Sequence, residues 1–392
     1  MSFLKKMYLG TGLALALLAS CKKDESVVPE AAMGTITGKV VAGNNASPIK
    51  VATIFSQSNG KLYITHTDIT GSFSLDMPAG NRHITIQTGD GSLFRTEMDV
   101  AVVEGQTTQV AANAVQLTQV ANLAYIQGSY DKIENILVDS LGYTANPLLW
   151  GMLNDISGIS SYDAIFINCT TQSDLAQITP QIDSTLAAYV ANGGSLYISD
   201  WAVKCLVGQR TLSANDPCGV QRQGGFIPDS LLCVRHAGQM GYFYNAPITS
   251  TSLQSYLGKT NIDEIYYNLG QWEQINYLDN NFWETLVSNP TNGLPLLIRT
   301  TQYTNPGRGT ISIGSSSNNG YSSVCTPSAM GNVTLSVKTT DLPAYLSAGA
   351  TQGMCSNPNG SGTIYFTTFH NEPNGQIGPD IKHILEYVIL NL

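Results

Sequence analysis

Charge is scarce in this sequence. Of 392 residues only 12% are charged, 19 lysine or arginine against 28 aspartate or glutamate, for a net charge of −9. With so few cations and no basic cluster beyond Lys23, little could neutralise a phosphate backbone, which argues against nucleic acid as a partner. Long apolar runs are missing as well. The uncharged apolar stretch Met7 to Leu18 is too short to cross a bilayer, and no later apolar run is long enough to span one. From Gly34 to about Leu117 helical periodicity is absent, so helices are not expected there. The cysteines show no paired C-x-x-C, and no histidine lies near enough in sequence to complete a usual zinc ligand set. No metal and no cofactor are expected.

The amino-terminal residues carry an export signal. Lys5 and Lys6 precede the apolar run, and Leu18-Ala19-Ser20-Cys21 follows it, the layout of a secretory signal peptide over residues 1–20. Small residues directly before a cysteine resemble the bacterial lipobox. That resemblance implies cleavage before Cys21, acylation of Cys21, and permanent anchoring by its acyl chains. Residues 21–33 then form a linker. No aspartate follows the cysteine, and Lys23-Asp24-Glu25 resembles the export signal of surface lipoproteins. A lipid anchor in the outer membrane is therefore expected, facing the cell surface in preference to the periplasm.

Seven cysteines leave six once Cys21 is lipidated: Cys169, Cys205, Cys218, Cys233, Cys325 and Cys355. An even number in an oxidising compartment reads as disulfides. Cys325 and Cys355 flank a strand candidate between turn-forming segments and are expected to pair. Among the close trio, Cys205 with Cys218 or Cys218 with Cys233 is expected, while Cys169 ends an apolar strand and reads as a buried thiol.

The chain is large enough for more than one domain. Over residues 34–117, short alternating runs at Ile36 to Val41, Val51 to Phe55, Leu62 to Thr67, Ser72 to Leu75, His83 to Gln87 and Gln109-Val110 are separated by Gly-, Asn- and Pro-rich turns. These predict a small antiparallel β-sandwich. Asp68-Ile-Thr-Gly-Ser-Phe and Pro78-Ala-Gly resemble the turns of carboxypeptidase regulatory-like modules, a prealbumin-type family whose members act as spacers or adhesive stalks. His66 and His83 lie on these strands and read as half-exposed or hydrogen-bonded side chains.

Residues 118–392 change character. Strands at Ala121 to Ile126, Asp163 to Asn168, Gly194 to Ser199 and Thr363 to Phe369 alternate with helices at Tyr130 to Leu141, Gln177 to Asn192 and Pro379 to Leu390. This alternation predicts a flavodoxin-like α/β domain with a parallel sheet. The stretch at about 205–358 breaks the alternation. It is rich in Gly, Asn, Ser and Tyr, with regular elements expected only at Ser252 to Leu257, Leu294 to Thr300, Thr310 to Gly314 and Val333 to Lys338. It reads as disulfide-pinned elaboration above the carboxyl ends of the strands.

Phe369-His370-Asn371-Glu372 ends the last strand and differs at one position from the F-H-P-E motif of class I glutamine amidotransferases. Tyr162 to Asn168 and Gly193 to Ala202 resemble the strands around that family's glycine-rich loop and nucleophile elbow. The resemblance implies a Cys-His-Glu triad, with His370 and Glu372 as two members. At the elbow, however, stands Ser199-Asp200-Trp201, and a carboxylate cannot form the family's thioester. Cys205 lies about one helical turn beyond. Two readings stay open. His370, Glu372 and Asp200 could converge as a general-base or metal-binding set in an extracellular hydrolase acting on a glycan or peptide. Alternatively Asp200 caps a helix, His370 is satisfied by it, and the domain binds a partner or ligand without turnover. Trp201, Tyr242, Tyr244, Trp272 and Trp283 could stack on a carbohydrate, although aromatics at this density usually pack in cores.

Overall fold

The computed structural model describes residues 32–211, 218, 221–304, 320–355, 357, 360–371 and 379–392. From Ala32 to Leu392 the chain is one compact unit.

Eight strands come first: β1 (Met33–Val41), β2 (Thr53–Ser58), β3 (Lys61–His66), β4 (Ser72–Pro78), β5 (Gly80–Gln87), β6 (Arg95–Val102), β7 (Thr107–Gln109) and β8 (Val115–Gln116). One sheet runs β4-β1-β7 with β8 also on β1, and the other runs β3-β2-β5-β6. Alternation drives their burial: in β4, Phe73, Leu75 and Met77 point inward while Ser74 and Asp76 face solvent. They meet Ile36, Val40, Ile54, Ile84 and Ile86 in one core. β6 was not among the strands expected, because Arg95, Glu97 and Asp99 mask its apolar face. Arg95 is nonetheless buried; its guanidinium donates to the Gly91 carbonyl at 2.9 Å and to Ser336 Oγ at 2.8 Å, and lies 3.6 Å from the Tyr321 ring centre. His66 and His83 are both hydrogen-bonded, His66 to Ser328 Oγ at 3.1 Å and His83 to Asp99 at 2.9 Å.

The remaining strands are β9 (Leu123–Ile126), β10 (Asn146–Leu148), β11 (Ala164–Ile167), β12 (Ser195–Ser199), β13 (Gln209–Thr211), β14 (Gln221–Gln223), β15 (Leu232–Pro247), β16 (Asn261–Leu278), β17 (Glu284–Ser288), β18 (Pro295–Thr300), β19 (Tyr321–Ser328), β20 (Gly331–Lys338), β21 (Thr351–Gln352) and β22 (Ile364–Thr367). The helices are α1 (Ile156–Ile159), α2 (Gln172–Leu175), α3 (Pro180–Ala191), α4 (Lys204–Val207), α5 (Thr251–Leu257), α6 (Leu342–Ser347) and α7 (Pro379–Leu390). Seven strands form a mixed sheet ordered β10-β9-β11-β12-β22-β18-β17. The first five are mutually parallel, and β18 and β17 add antiparallel. In chain order the parallel five run 2-1-3-4-5, an order of open doubly wound sheets.

Central strands of such a sheet are covered on both faces, which explains why every residue of β11, β12 and β22 is buried. Ile165, Ile167, Leu196, Ile198, Ile364 and Phe366 pack on one side with Ile182 and Leu186 of α3. Phe166, Tyr197 and Tyr365 face the other side, toward Ile384, Leu385 and Val388 of α7. α3 starts where Thr179 accepts from the Ile182 amide and Pro180 occupies the first turn. The α7 side is continuous with the core of β1–β8. No described helix is long and apolar enough to cross a membrane.

One expectation is shortened here and one fails. Between Tyr130 and Leu141 the chain is helical only from Ile133, with a π-helix at Asn135–Ser140, and the expected face of Ile133, Ile136, Leu137 and Leu141 is buried. Its leading amides are taken by side chains instead: Asp131 Oδ1 accepts from the Lys132 amide at 2.8 Å and Asn168 Oδ1 from the Ile133 amide at 3.1 Å. The region around 232–278 is not scattered but holds a long antiparallel hairpin, β15 on β16, with three register shifts that break the period of two. The expected strand at Thr310 to Gly314 lies outside the described residues.

Cys218 is bonded to Cys233, and Cys325 to Cys355. Cys205 takes no part in a disulfide. It is a free thiol fully buried on α4 among the apolar residues of the α3 side, out of reach of a partner. Cys169 is also a free buried thiol.

Candidate functional site

The carboxyl ends of β11, β12 and β22 lie side by side, and a polar side chain follows each within three residues. Cys169 follows β11, Asp200 follows β12, and His370 follows β22. All three are buried. Asp200 Oδ2 lies 3.8 Å from Cys169 Sγ and 4.0 Å from His370 Nε2.

Asp200 sits on a sharp strand-to-helix turn with φ of +39°, a left-handed conformation that aspartate tolerates better than most residues but that still stores strain. The chain enters a 3-10 turn at Asp200–Val203 and then α4. This is the backbone path of a nucleophile elbow with a carboxyl group at its apex. Oδ1 of Asp200 accepts from the Glu273 amide at 2.7 Å, which brings β16 down onto the turn. Trp201 does the same from its indole, donating to the Gln271 carbonyl at 3.0 Å.

Burial governs the charges. It pushes the carboxyl of Asp200 well above the usual carboxylate range despite the Glu273 amide, and raises the Cys169 thiol in the same way, with Asp200 adding to the effect. Burial lowers His370 to about 4. At neutral pH the imidazole of His370 is uncharged, so its contact with Asp200 is not an ion pair. No described residue hydrogen-bonds either ring nitrogen of His370, and Nδ1 has no access to solvent.

Asp131, which the sequence reading did not single out, belongs to the same site. It accepts from the Asn371 amide at 2.8 Å, the residue after His370, and burial lifts its carboxyl to about 7. Ser199 Oγ accepts from the Cys169 amide at 2.8 Å. Gly128 makes this packing feasible: a Cβ there would lie 2.4 Å from the Cys169 carbonyl oxygen and 2.8 Å from that of Asp131. Lys204 is the nearby cation; burial lowers its pKa, while Glu273, Cys169 and Asp200 oppose that shift.

A cavity of about 10 Å3 opens beside Asp200 and His370, walled by Tyr267, Asn268, Trp272 and Phe369. That is room for about one water molecule. Asn268 Oδ1 is buried without a hydrogen-bond partner. A far larger cleft of about 650 Å3 lies at the opposite ends of the same strands, lined by Asp163, Ser195 and Thr363 together with His66 and Asn332. The titratable cluster is at the small cavity.

The other sequence candidates separate. Glu372 and Cys21 lie outside the described residues. Trp272 and Trp283 are buried packing residues and Trp201 is half-buried, whereas Tyr242 and Tyr244 are 51% and 56% exposed. Their rings lie nearly parallel, 7° apart with centroids at 5.8 Å, and Tyr266 stacks on Tyr242 at 4.4 Å. Cys169 was read only as a strand-end thiol. Proximity to Asp200 comes from the neighbouring positions of β11 and β12 in the sheet, which residue spacing does not report.

The chain matches no protein-family model and no curated protein. Among solved structures it is similar to a protein of Bacteroides uniformis ATCC 8492 described as ThuA-like. Identity is 10% and the TM-score 0.34, over 68% of this chain and 89% of that one. A likeness of that degree carries no argument about activity.

Proposed function

We propose that this is a lipoprotein, anchored through Cys21 in the outer membrane and facing the cell surface, in which an amidotransferase-like α/β domain binds a ligand without turning it over. β1–β8 would then be a carboxypeptidase regulatory-like module, acting as a rigid base because its core is continuous with that of α7. The observation that carries the reading is Asp200 at the apex of the elbow. A carboxyl there cannot form the family's thioester, burial works against its charged form, and the nearby thiols of Cys169 and Cys205 are held away from the thiolate form by burial. An imidazole with a pKa of about 4 is also a weak general base at neutral pH, which disfavours the hydrolase reading.

The exposed Tyr242 and Tyr244, held by the stack with Tyr266, favour a glycan as the ligand, since exposed aromatic rings stack on sugar rings. The deciding experiment is a screen of the purified protein against glutamine and common ester, amide and glycoside substrates. No turnover is expected. Turnover abolished by His370→Ala would overturn the binding reading. Glycan-array binding weakened by Tyr242→Ala would support the ligand class, and mass spectrometry showing a free, unacylated Cys21 would remove the anchor.

A further inference from the structure

Cys169, Asp200 and His370 supply a sulfur, an oxygen and a nitrogen whose ligand atoms all lie within 4.8 Å of one another. We propose that these three residues bind a divalent zinc ion. The inference is independent of what the domain recognises at its surface.

Four observations converge. The donor set is the mixture of thiolate, carboxylate and imidazole that zinc prefers over harder cations. Zinc-ligand bonds of about 2.0–2.3 Å at a tetrahedral angle place sulfur and oxygen about 3.5 Å apart, and nitrogen and oxygen about 3.3 Å apart. The corresponding separations here are 3.8 and 4.0 Å. The sulfur–oxygen and nitrogen–oxygen pairs thus need to close by less than about 1 Å to hold an ion, and all three ligand atoms already lie within 4.8 Å of one another. Each ligand follows one of three adjacent strands, β11, β12 and β22, so the sheet itself holds them in place.

The remaining observations concern vacancies in the hydrogen bonding. His370 is buried, yet neither nitrogen meets a described partner. An imidazole in that condition is unusual unless something outside the protein chain completes it. On the other side of the same 10 Å3 cavity, Asn268 Oδ1 is a buried acceptor with nothing to accept. Three protein ligands leave a fourth tetrahedral position. A water placed there would occupy the cavity and donate to Asn268 Oδ1, while Nε2 of His370, the nitrogen that faces Asp200, takes the ion.

Charge balances as well. In the metal-free protein burial favours the neutral forms of the Cys169 thiol and the Asp200 carboxyl. On binding, both protons leave to solvent and two ligand anions meet one dication, so the buried charge is unchanged. Asp131, Glu134 and Glu273 nearby, against Lys204, add a field that favours a cation.

The test uses the full chain, stripped with a chelator and titrated with Zn2+. Elemental analysis after dialysis should give one zinc per chain, and calorimetry in buffers of different ionisation enthalpy should report about two protons released per ion. Loading with Co2+ should produce a thiolate-to-cobalt charge-transfer band and the intense visible absorption of tetrahedral cobalt. Cys169→Ser should remove the charge-transfer band, and Asp200→Asn and His370→Gln should each weaken binding by roughly 100-fold or more. No stoichiometric zinc, or stoichiometric zinc that none of the three substitutions weakens, would overturn the proposal. Cobalt bound without the charge-transfer band would do so too, and that spectrum is read on the wild-type protein, so a variant that fails to fold does not rescue the idea.

Discussion

The backbone amide of Glu273 donates to Oδ1 of Asp200, fastening the middle of β16 to the end of β12 across 73 residues of sequence. Asn at position 200 keeps an oxygen acceptor and tolerates the left-handed backbone. Ala does neither. Asp200→Ala should lose roughly 1–3 kcal/mol in urea unfolding of the metal-free protein, because the Glu273 amide is left buried and unpaired. Asp200→Asn should stay near wild type or exceed it at pH 7. Equal losses in both would show that the carboxyl charge, not the hydrogen bond, matters.

Asp131 makes stability depend on pH in a defined direction. Its folded pKa is about 7 against an ordinary 3.8. Between about pH 4 and 7 the folded state holds a proton that the unfolded chain has released, so this group makes stability fall as pH rises, with the loss complete above 7. His370 acts in the opposite sense, its pKa lowered from 6.5 to about 4, and makes stability rise over about pH 4 to 6.5. The two partly cancel in the wild type. Asp131→Asn should remove Asp131's share of the falling limb, and its advantage over wild type should grow to roughly 2–4 kcal/mol by pH 8. Parallel denaturation curves for the two proteins across pH 4–8 would refute the burial account of Asp131.

Gly362 approaches the sheet so closely that a Cβ would lie 1.9 Å from the carbonyl oxygen of Gly194. That neighbour is backbone and cannot rotate away. Gly362→Ala should therefore cost about 2 kcal/mol or more, and should disturb the pairing of β12 with β22. Gly151→Ala, where nothing lies within 4 Å, serves as the control and should change stability by less than about 0.5 kcal/mol. Thermal melts of the two variants give the comparison.

The Cys325–Cys355 bond closes a sequence separation of 30 residues around β19, β20 and β21. Replacing both cysteines by serine should lower stability by about 3–4 kcal/mol through the freed unfolded chain. The apolar contacts of Val324, Leu335 and Val337 with Phe55 should keep this small sheet seated. Loss of those contacts, read as new proteolytic cleavage within 321–352, would show that the disulfide holds the sheet in place.

What could be read from sequence was what local pattern encodes. β11, β12 and β22 are short, wholly apolar runs, and the ends of α7 coincide with the helix expected from Pro379 to Leu390. The β15–β16 hairpin was not legible, because bulges between Cys233 and Val234 and around Gly238 and Gly241 shift its inward face along the strand. The helix expected from Tyr130 starts late, at Ile133, because Asp131 and Asn168 take the amides of Lys132 and Ile133, a competition with the backbone that is a tertiary effect. His370 and Asp200 were identifiable as strand-end polar groups. Their junction with Cys169 and Asp131 depends on which strands become neighbours, and no residue spacing states that.

The continuous core has a consequence for when this protein can finish folding. β1 to β8 are made early, yet the apolar surface they contribute is completed by Ile384, Leu385, Val388 and Ile389 of α7, and the Gly89 turn rests on Asn391. A chain emerging from a ribosome or a membrane pore delivers these partners in order, so the early strands wait, partly uncovered, until α7 arrives. A chain truncated before α7 would leave that apolar surface open, so the last helix sets when the first strands are fully covered.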